Sequence, residues 1–352
     1  MFVAVKSFFS PFSGRLRRAA GAALAAGLAW GASGGATAAS LTVLMGDDVA
    51  ASSEFVQRLR ADQEPGGRFE LVRLAPGGAD PQASTEASDA ERAANSGVRT
   101  RSLRTASDAP LTMAVGPAAA RAAVERPGQE PLVLAMLSRL EYETLKAASP
   151  ALRRGDRRVG VLLRDPAMAD QLALINAVLP QKHRVGVVAT PESEPLVREL
   201  QRAAQGANPA WELRVEYAPD ARSLAAALRL VVPQSDALMV LPDLIGDNQA
   251  ATLSVLRAGA GAGLPVFGAS EGLVRSGGLA AAVSTPSQLA QQARLLGQKV
   301  ASASVGGSSN SNVPLVEAAT PATVRVNATV ARGLGLRLPE ERELADRLAP
   351  PR

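Results

Sequence analysis

The segment DALMVLPD at residues 236–243 decides the fold class, together with the segment LPVFGASE at residues 264–271. Each contains a short apolar run followed by a polar or acidic residue, and residues 248–258 between them have helical periodicity. A strand, a helix and a second apolar strand form a βαβ unit, in which the two strands are parallel. The pattern therefore predicts a parallel sheet that is covered by helices on both faces.

The same alternation runs along most of the chain and occurs in two successive series. Further strands are predicted at residues 41–45, 69–74, 111–115, 132–137, 184–189, 211–217 and 278–284. Helices are predicted between them, for example at residues 52–60, 118–125, 167–178, 194–204 and 222–230. About 310 residues remain after an N-terminal leader, too many for one ordinary core. We therefore predict an α/β protein with two doubly wound, parallel-sheet lobes.

Later segments return to earlier parts of the fold, which predicts a hinge made of several crossovers. We assign residues 40–180 plus 270–305 to the N-terminal lobe and residues 181–269 plus 306–340 to the C-terminal lobe. Residues 341–352 are predicted to be a tail. Residues 75–109 have almost no large apolar side chain and are predicted to be a flexible insertion.

The N-terminus has the pattern of a secretory signal peptide, predicted to span residues 1–39. Its four basic residues precede an apolar run of about fourteen residues, shorter than the roughly 20 that a spanning helix needs. Small residues then place cleavage after Ala38 or Ala39. We therefore expect a bacterial protein of the periplasm.

Composition narrows the function classes. The chain has no cysteine and one histidine, which argues against disulfides, a lipid anchor on cysteine, and transition-metal sites. Of 38 basic and 33 acidic residues, the leader holds four basic ones, so the mature charge is 34 minus 33, or about +1. Such a scattered, nearly balanced charge argues against nucleic-acid binding. No cofactor and no metal is expected.

The C-terminal segment at residues 324–339 reads as a strand, an Asn cap at Asn327, a short amphipathic helix closed by glycine, and a stop at Pro339. It resembles the terminal N-x-x-x-A-x-x-L-G-(L/I)-x-(L/I)-P signature of a family of bacterial ABC-transporter substrate-binding proteins. The segments at residues 164–187, 236–243, 264–271 and 277–281 are similar to further motifs of that family, in the same order.

The resemblance implies a type I periplasmic-binding-protein fold and a non-enzymatic function. It also implies a small-molecule ligand in an interlobe cleft, an amino-acid-like solute as the first expectation, and an ABC permease of the inner membrane as partner. A monomer is expected. The segments at residues 138–141 and 285–288 depart from the family pattern, so another small organic solute stays open.

Ligands of open α/β sheets bind outside the carboxyl ends of the strands, where loops and helix N-termini meet. The candidate ligand-binding residues follow predicted strands and are Asp47, Gly116, Ser138, Thr190, Asp243, Ser270 and Glu271. Asp243 is the leading candidate because the resemblance places a ligand-facing Asp there. Its alternative role is an Asx turn or a helix cap.

Two other functions fit parts of the sequence. An envelope sensor or partner protein could use the same two-lobed scaffold without import. The segment at residues 268–272 also matches G-x-S-x-G, the nucleophile elbow of serine hydrolases. That elbow needs a helix directly after Ser270 and a histidine after it in the chain, whereas His183 precedes it. No catalytic residue is therefore assigned.

Overall fold

A computed structural model describes residues 40–46, 49–63, 67–74, 111–155, 157–208, 210–302, 313–321 and 323–348. The strands are β1 Leu41–Met45, β2 Phe69–Arg73, β3 Leu111–Val115, β4 Leu132–Leu137, β5 Val159–Pro166, β6 Arg184–Ala189, β7 Glu212–Tyr217, β8 Ala237–Met239, β9 Val266–Gly268, β10 Ala280–Val283, β11 Leu315–Ala319 and β12 Thr323–Val326. The helices are α1 Ala50–Ala61, α2 Pro117–Glu125, α3 Arg139–Ala148, α4 Pro150–Arg154, α5 Met168–Val178, α6 Glu194–Gly206, α7 Ala221–Val231, α8 Leu244–Asp247, α9 Gln249–Ala262, α10 Glu271–Arg275, α11 Pro286–Ser302, α12 Ala328–Gly333 and α13 Glu341–Leu348.

The strands form two six-stranded sheets, each the centre of one lobe. The first has the order β11-β5-β4-β3-β1-β2 and the second the order β12-β10-β9-β8-β6-β7. All neighbours are parallel except β12, which runs antiparallel to β10. The predicted α/β fold with two doubly wound lobes is confirmed.

Helices cover both faces of each sheet, which explains the near-continuous apolar strands. Every residue of β4 is buried, for example. One face of the first sheet packs against α1 and α11, and the other against α2, α3 and α4. At Gly160 of β5, an added Cβ would lie 2.8 Å from a methyl group of Val300, so glycine permits the close approach of α11.

The chain crosses between the lobes three times: from β5 to α5, from β10 to α11, and from β11 to β12. The second and third crossovers are tied together, since Ser284 Oγ donates a 2.6 Å hydrogen bond to the carbonyl oxygen of Thr320. Gln292 of α11 adds two bonds to the third crossover, from its Nε2 to the Ala318 carbonyl and from the Thr320 N–H to its Oε1. These bonds connect the second and third crossovers to each other.

The predicted lobe boundaries are wrong at one helix and two strands. Residues 40–180 are predicted in the first lobe, yet α5 packs in the core of the second lobe. Residues 270–305 are predicted in the first lobe, yet β10 pairs with β9 in the second sheet. Residues 306–340 are predicted in the second lobe, yet β11 pairs with β5 in the first sheet. The connection from β9 to β10 is short, so β10 stays beside β9, and the chain crosses only after it.

The predicted tail at residues 341–352 also contains more structure than expected. Residues 341–348 form α13, an amphipathic helix whose Leu344 is fully buried in the core of the second lobe. Helix α3 was not predicted either. The predicted leader at residues 1–39, the insertion at residues 75–109 and the candidate Asp47 lie outside the described residues.

Candidate functional site

A cleft of about 420 Å³ lies where the carboxyl ends of β5, β8 and β9 meet. Arg164 and Asp165, at the end of β5 in the first sheet, form one wall. The other wall comes from the second lobe, after β8 and β9, and includes Val240, Leu241, Pro242, Gly246, Asp247, Gln249, Thr252, Leu253, Ala269, Ser270, Gly272, Leu273 and Ser276. The cleft therefore lies between the two lobes, at the strand ends where α/β proteins bind ligands.

Asp165 is the most perturbed titratable group in this cleft. Its Oδ2 is buried and has no hydrogen-bond partner among the described residues. Burial raises the pKa of Asp165 to about 6, with Arg164 opposing the shift and Asp247 adding to it. A buried carboxylate oxygen without a donor is costly, and because the residue as a whole is only partly buried, its carboxylate can still meet a solute at the cleft wall.

Arg164 lines the same wall, but its charge is already paired. Its Nη1 lies 2.8 Å from Oε2 of Glu141 in α3. The same oxygen of Glu141 accepts a 2.7 Å bond from the backbone N–H of Ser138. The cation of Arg164 therefore belongs to a small network within the first lobe, next to the cleft.

Asp243 follows β8, as predicted, but is only 1% exposed and does not line the cleft. Its Oδ1 accepts hydrogen bonds from the N–H groups of Ile245 and Gly246, which makes it the cap of α8. Its Oδ2 accepts a 2.5 Å bond from Ser193 Oγ. Burial raises the pKa of Asp243, and the bond from Ser193 opposes this shift. The geometry therefore matches the alternative role, a helix cap.

Thr190 is buried beside this cap. Its Oγ1 lies 2.9 Å from Ser193 Oγ, so Thr190, Ser193 and Asp243 form one hydrogen-bonded network. The network joins the strand ends of β6 and β8, which are neighbours in the second sheet. Thr190 and Asp243 are thus linked through Ser193, and neither lines the cleft.

Ser270 and Glu271 are neighbours in sequence but lie in different environments. Ser270 is exposed in the cleft, and its Oγ accepts a 3.2 Å bond from the N–H of Leu273, which caps α10. Glu271 does not line the cleft and instead pairs with Arg325 of β12 at 2.8 Å. That arginine lowers the pKa of Glu271. Of this pair, only Ser270 lines the cleft, and its role in ligand binding stays a prediction.

Gly116 and Ser138 lie at the carboxyl ends of β3 and β4 in the first sheet, and neither lines the cleft. Gly116 begins α2 with a φ of 83°, a conformation that favours glycine. Ser138 is buried and forms a capping box with Glu141 at the start of α3. Both therefore have clear structural roles.

The hydrolase alternative fails on geometry. Ser270 follows β9 at the carboxyl edge of the second sheet, whereas His183 precedes β6 at the amino edge. His183 instead contacts the Trp211 ring edge-on, with centroids 5.5 Å apart. No group of three or more His, Cys, Asp or Glu side chains among the described residues is arranged to hold a metal ion.

Asp165 is not among the ligand-binding residues predicted from the sequence. A signal was present: Asp165 closely follows the buried apolar run 161–163, just as Asp243 follows the run of β8. Gln249 and Thr252 were also missed. They belong to α9, whose first turn reaches the cleft because α8 is only four residues long.

Within the described residues, no helix is both long enough and apolar enough to span a membrane.

Residues 106–345 match the family described as ABC transporter substrate binding protein. No curated protein is significantly similar in sequence to this chain. Among solved structures, the ligand-free, open structure of a substrate binding protein with adhesive properties from Clostridium difficile is similar at a TM-score of 0.57 and 15% identity, covering 86% of this chain and 96% of that one.

Two further structures have lower TM-scores. One is a domain in complex with L-Trp from Streptococcus pneumonia, with a TM-score of 0.47, 15% identity, and coverage of 86% of this chain and 96% of that one. The other is a conserved domain protein from Vibrio cholerae, with a TM-score of 0.49, 20% identity, and coverage of 88% and 98%. The Clostridium structure agrees with the two-lobed fold, and the family match spans most of the chain. This chain belongs to the ABC transporter substrate-binding protein family.

Proposed function

We propose that this protein captures a small organic solute in the cleft between its lobes and delivers it to an ABC permease. An amino-acid-like compound is the first class to consider, because the resemblance of the sequence motifs implies it. The predicted leader supports export to the periplasm. The observation that carries the proposal is a cleft of about 420 Å³ between the lobes, with a buried carboxylate that has no partner among the described residues.

The mechanism follows from the position of the cleft. One wall belongs to the first sheet and the other to the second lobe, so a bound solute contacts both. Contacts made only in the closed form stabilise that form, and the ligand thereby shifts the population toward closure. A permease that recognises the closed arrangement of both lobes would then distinguish loaded from empty protein.

The experiment is native mass spectrometry of protein purified from the periplasm of its host. We expect a bound small molecule that is lost on denaturation, and an N-terminus beginning at residue 39 or 40. Gln249→Trp should abolish the bound species, because Gln249 is exposed on the cleft wall.

Gln201→Trp is the matched control, since Gln201 is exposed on α6 and does not line the cleft. Wild-type protein that carries no small molecule, and takes none up from a periplasmic extract, would contradict the proposal. Equal occupancy in both tryptophan variants would place the solute elsewhere.

A further inference from the structure

The charges on the cleft walls indicate which class of solute the cleft accepts. The charged residues that line it are Arg164, Asp165 and Asp247. Arg164 is neutralised by Glu141 at 2.8 Å. The two aspartates lie on opposite walls, one at the end of β5 and one at the end of α8. The excess charge on the walls is therefore negative.

The carboxylate of Asp165 has one oxygen without a hydrogen-bond donor among the described residues. This oxygen, Oδ2, is buried, although the residue as a whole is only partly buried. Buried carboxylates in folded proteins are normally paired or hydrogen-bonded, because losing hydration costs free energy. Asp243, the corresponding residue after β8, has three donors in place. The contrast marks Asp165 as an acceptor that the described part of the chain leaves unfilled.

A solute without net positive charge, either an anion or a neutral zwitterion, gains little from walls whose excess charge is negative. Among the lining residues that the structure describes, the only cationic side chain is Arg164, and it pairs with Glu141. The other polar side chains there, such as Ser270 and Gln249, are uncharged. An anionic group would also lie near Asp165 and Asp247, where like charges repel.

We infer that Asp165 binds a protonated nitrogen of the solute, and that the solute is a net cation: a basic amino acid or a small polyamine. Asp247 adds negative charge from the facing wall, so closure of the lobes brings a second carboxylate toward the same cation. This inference rests on the proposed function and specifies the chemistry of the same cleft.

The titration of Asp165 agrees with this role. Desolvation raises its pKa to about 6, Arg164 lowers it, and Asp247, Glu141 and Glu199 raise it. These groups come from β5, α8, α3 and α6, the elements around the carboxyl group. Between pH 7 and pH 5 the ionised fraction of a group with this pKa falls roughly tenfold. Affinity for a cationic solute should fall by about the same factor over that range.

The test is equilibrium dialysis of the mature protein against an equimolar mixture of the proteinogenic amino acids, putrescine, agmatine, spermidine, succinate and glutarate. Enriched compounds are identified by mass spectrometry. We expect enrichment of a compound with net positive charge, and a loss of about tenfold or more in Asp165→Asn, which removes a charge-assisted bond. Asp170→Asn should retain binding, because Asp170 follows on α5 and does not line the cleft.

The outcomes separate the two proposals. Enrichment of a neutral or anionic compound, or equal enrichment by Asp165→Asn, would overturn the inference and leave solute binding in place. If the wild-type protein enriches nothing, from this mixture or from a periplasmic extract, the proposed function fails and the inference fails with it. The melting temperature of Asp165→Asn, expected to be no lower than wild type, shows that lost binding is not lost folding.

Discussion

The strand ends of β5 and β8 contain the same residue type at the same edge of the fold, with opposite consequences. Asp243 after β8 has both oxygens filled by Ser193, Ile245 and Gly246. Asp165 at the end of β5 has a buried oxygen that no described residue fills. A buried carboxylate whose oxygens accept hydrogen bonds from its own chain stabilises the fold. A buried carboxylate oxygen without a donor destabilises it until a ligand supplies the donor.

The largest effect is expected for Asp243→Ala. From sequence alone, this change would weaken ligand binding and leave folding intact. The network instead predicts a loss of about 2–4 kcal/mol in the free energy of unfolding, because a cap is lost and the buried Ser193 hydroxyl loses its acceptor. Denaturant unfolding followed by circular dichroism measures it.

Asp220→Ala is the matched control for this change. Asp220 also caps a helix, accepting from the N–H groups of Arg222 and Ser223, but it lies on the surface. Its removal should cost clearly less stability than Asp243→Ala, because only a surface cap is lost. Equal losses for both variants would show that the buried network around Asp243 adds nothing.

The second-largest effect is expected for Asp165→Asn, which should raise the free energy of unfolding and not lower it. Since the folded pKa of Asp165 is raised from 3.8 to about 6, its carboxylate destabilises the fold above pH 6. Asp165→Asn should therefore increase the free energy of unfolding at pH 7 by on the order of 1–3 kcal/mol. The gain should shrink as pH falls through 6 toward about 4, where the folded protein already binds the proton. Urea titrations at pH 7 and pH 4.5 measure both values, and a loss of stability at pH 7 would mean that Asp165 has a donor in solution.

The smallest effect is expected for Glu271→Gln. This residue pairs with Arg325, and both side chains are more than 40% exposed. Exposed pairs contribute about 0–1 kcal/mol, so unfolding should change by no more than that. Solute affinity should be unchanged because Glu271 does not line the cleft. A large loss of affinity by calorimetry would restore the sequence-based role of Glu271 in binding.

Much of the fold could be predicted from sequence because its strands are short apolar runs buried on both faces. β1, β3, β4 and β6 begin and end at the predicted residues. The errors arose where tertiary contacts decide. The lobe to which β10 and β11 belong depends on pairing with β9 and β5, which no local pattern encodes.

The site was less predictable because the position of a residue after a strand does not determine the direction in which its side chain points. Ser270 and Asp243 both follow strands of the second sheet, and only Ser270 faces the cleft. These two residues are the N-caps of the short helices α8 and α10, so their side-chain oxygens accept hydrogen bonds from backbone N–H groups. Asp165 precedes Pro166, which has no N–H to offer it. Sequence alone could identify strand-end acceptors but not which of them the backbone would already occupy.

The bond between Ser284 and the Thr320 carbonyl bears on how the lobes can move relative to one another. Three independent linkers would let the lobes twist, slide and bend. Because the second and third crossovers are tied at this point, sliding of one past the other would break the bond, whereas bending at the crossovers would not. In the proposed mechanism, lobe closure would therefore be mainly a bend, and a permease would recognise a change in the angle between the lobes.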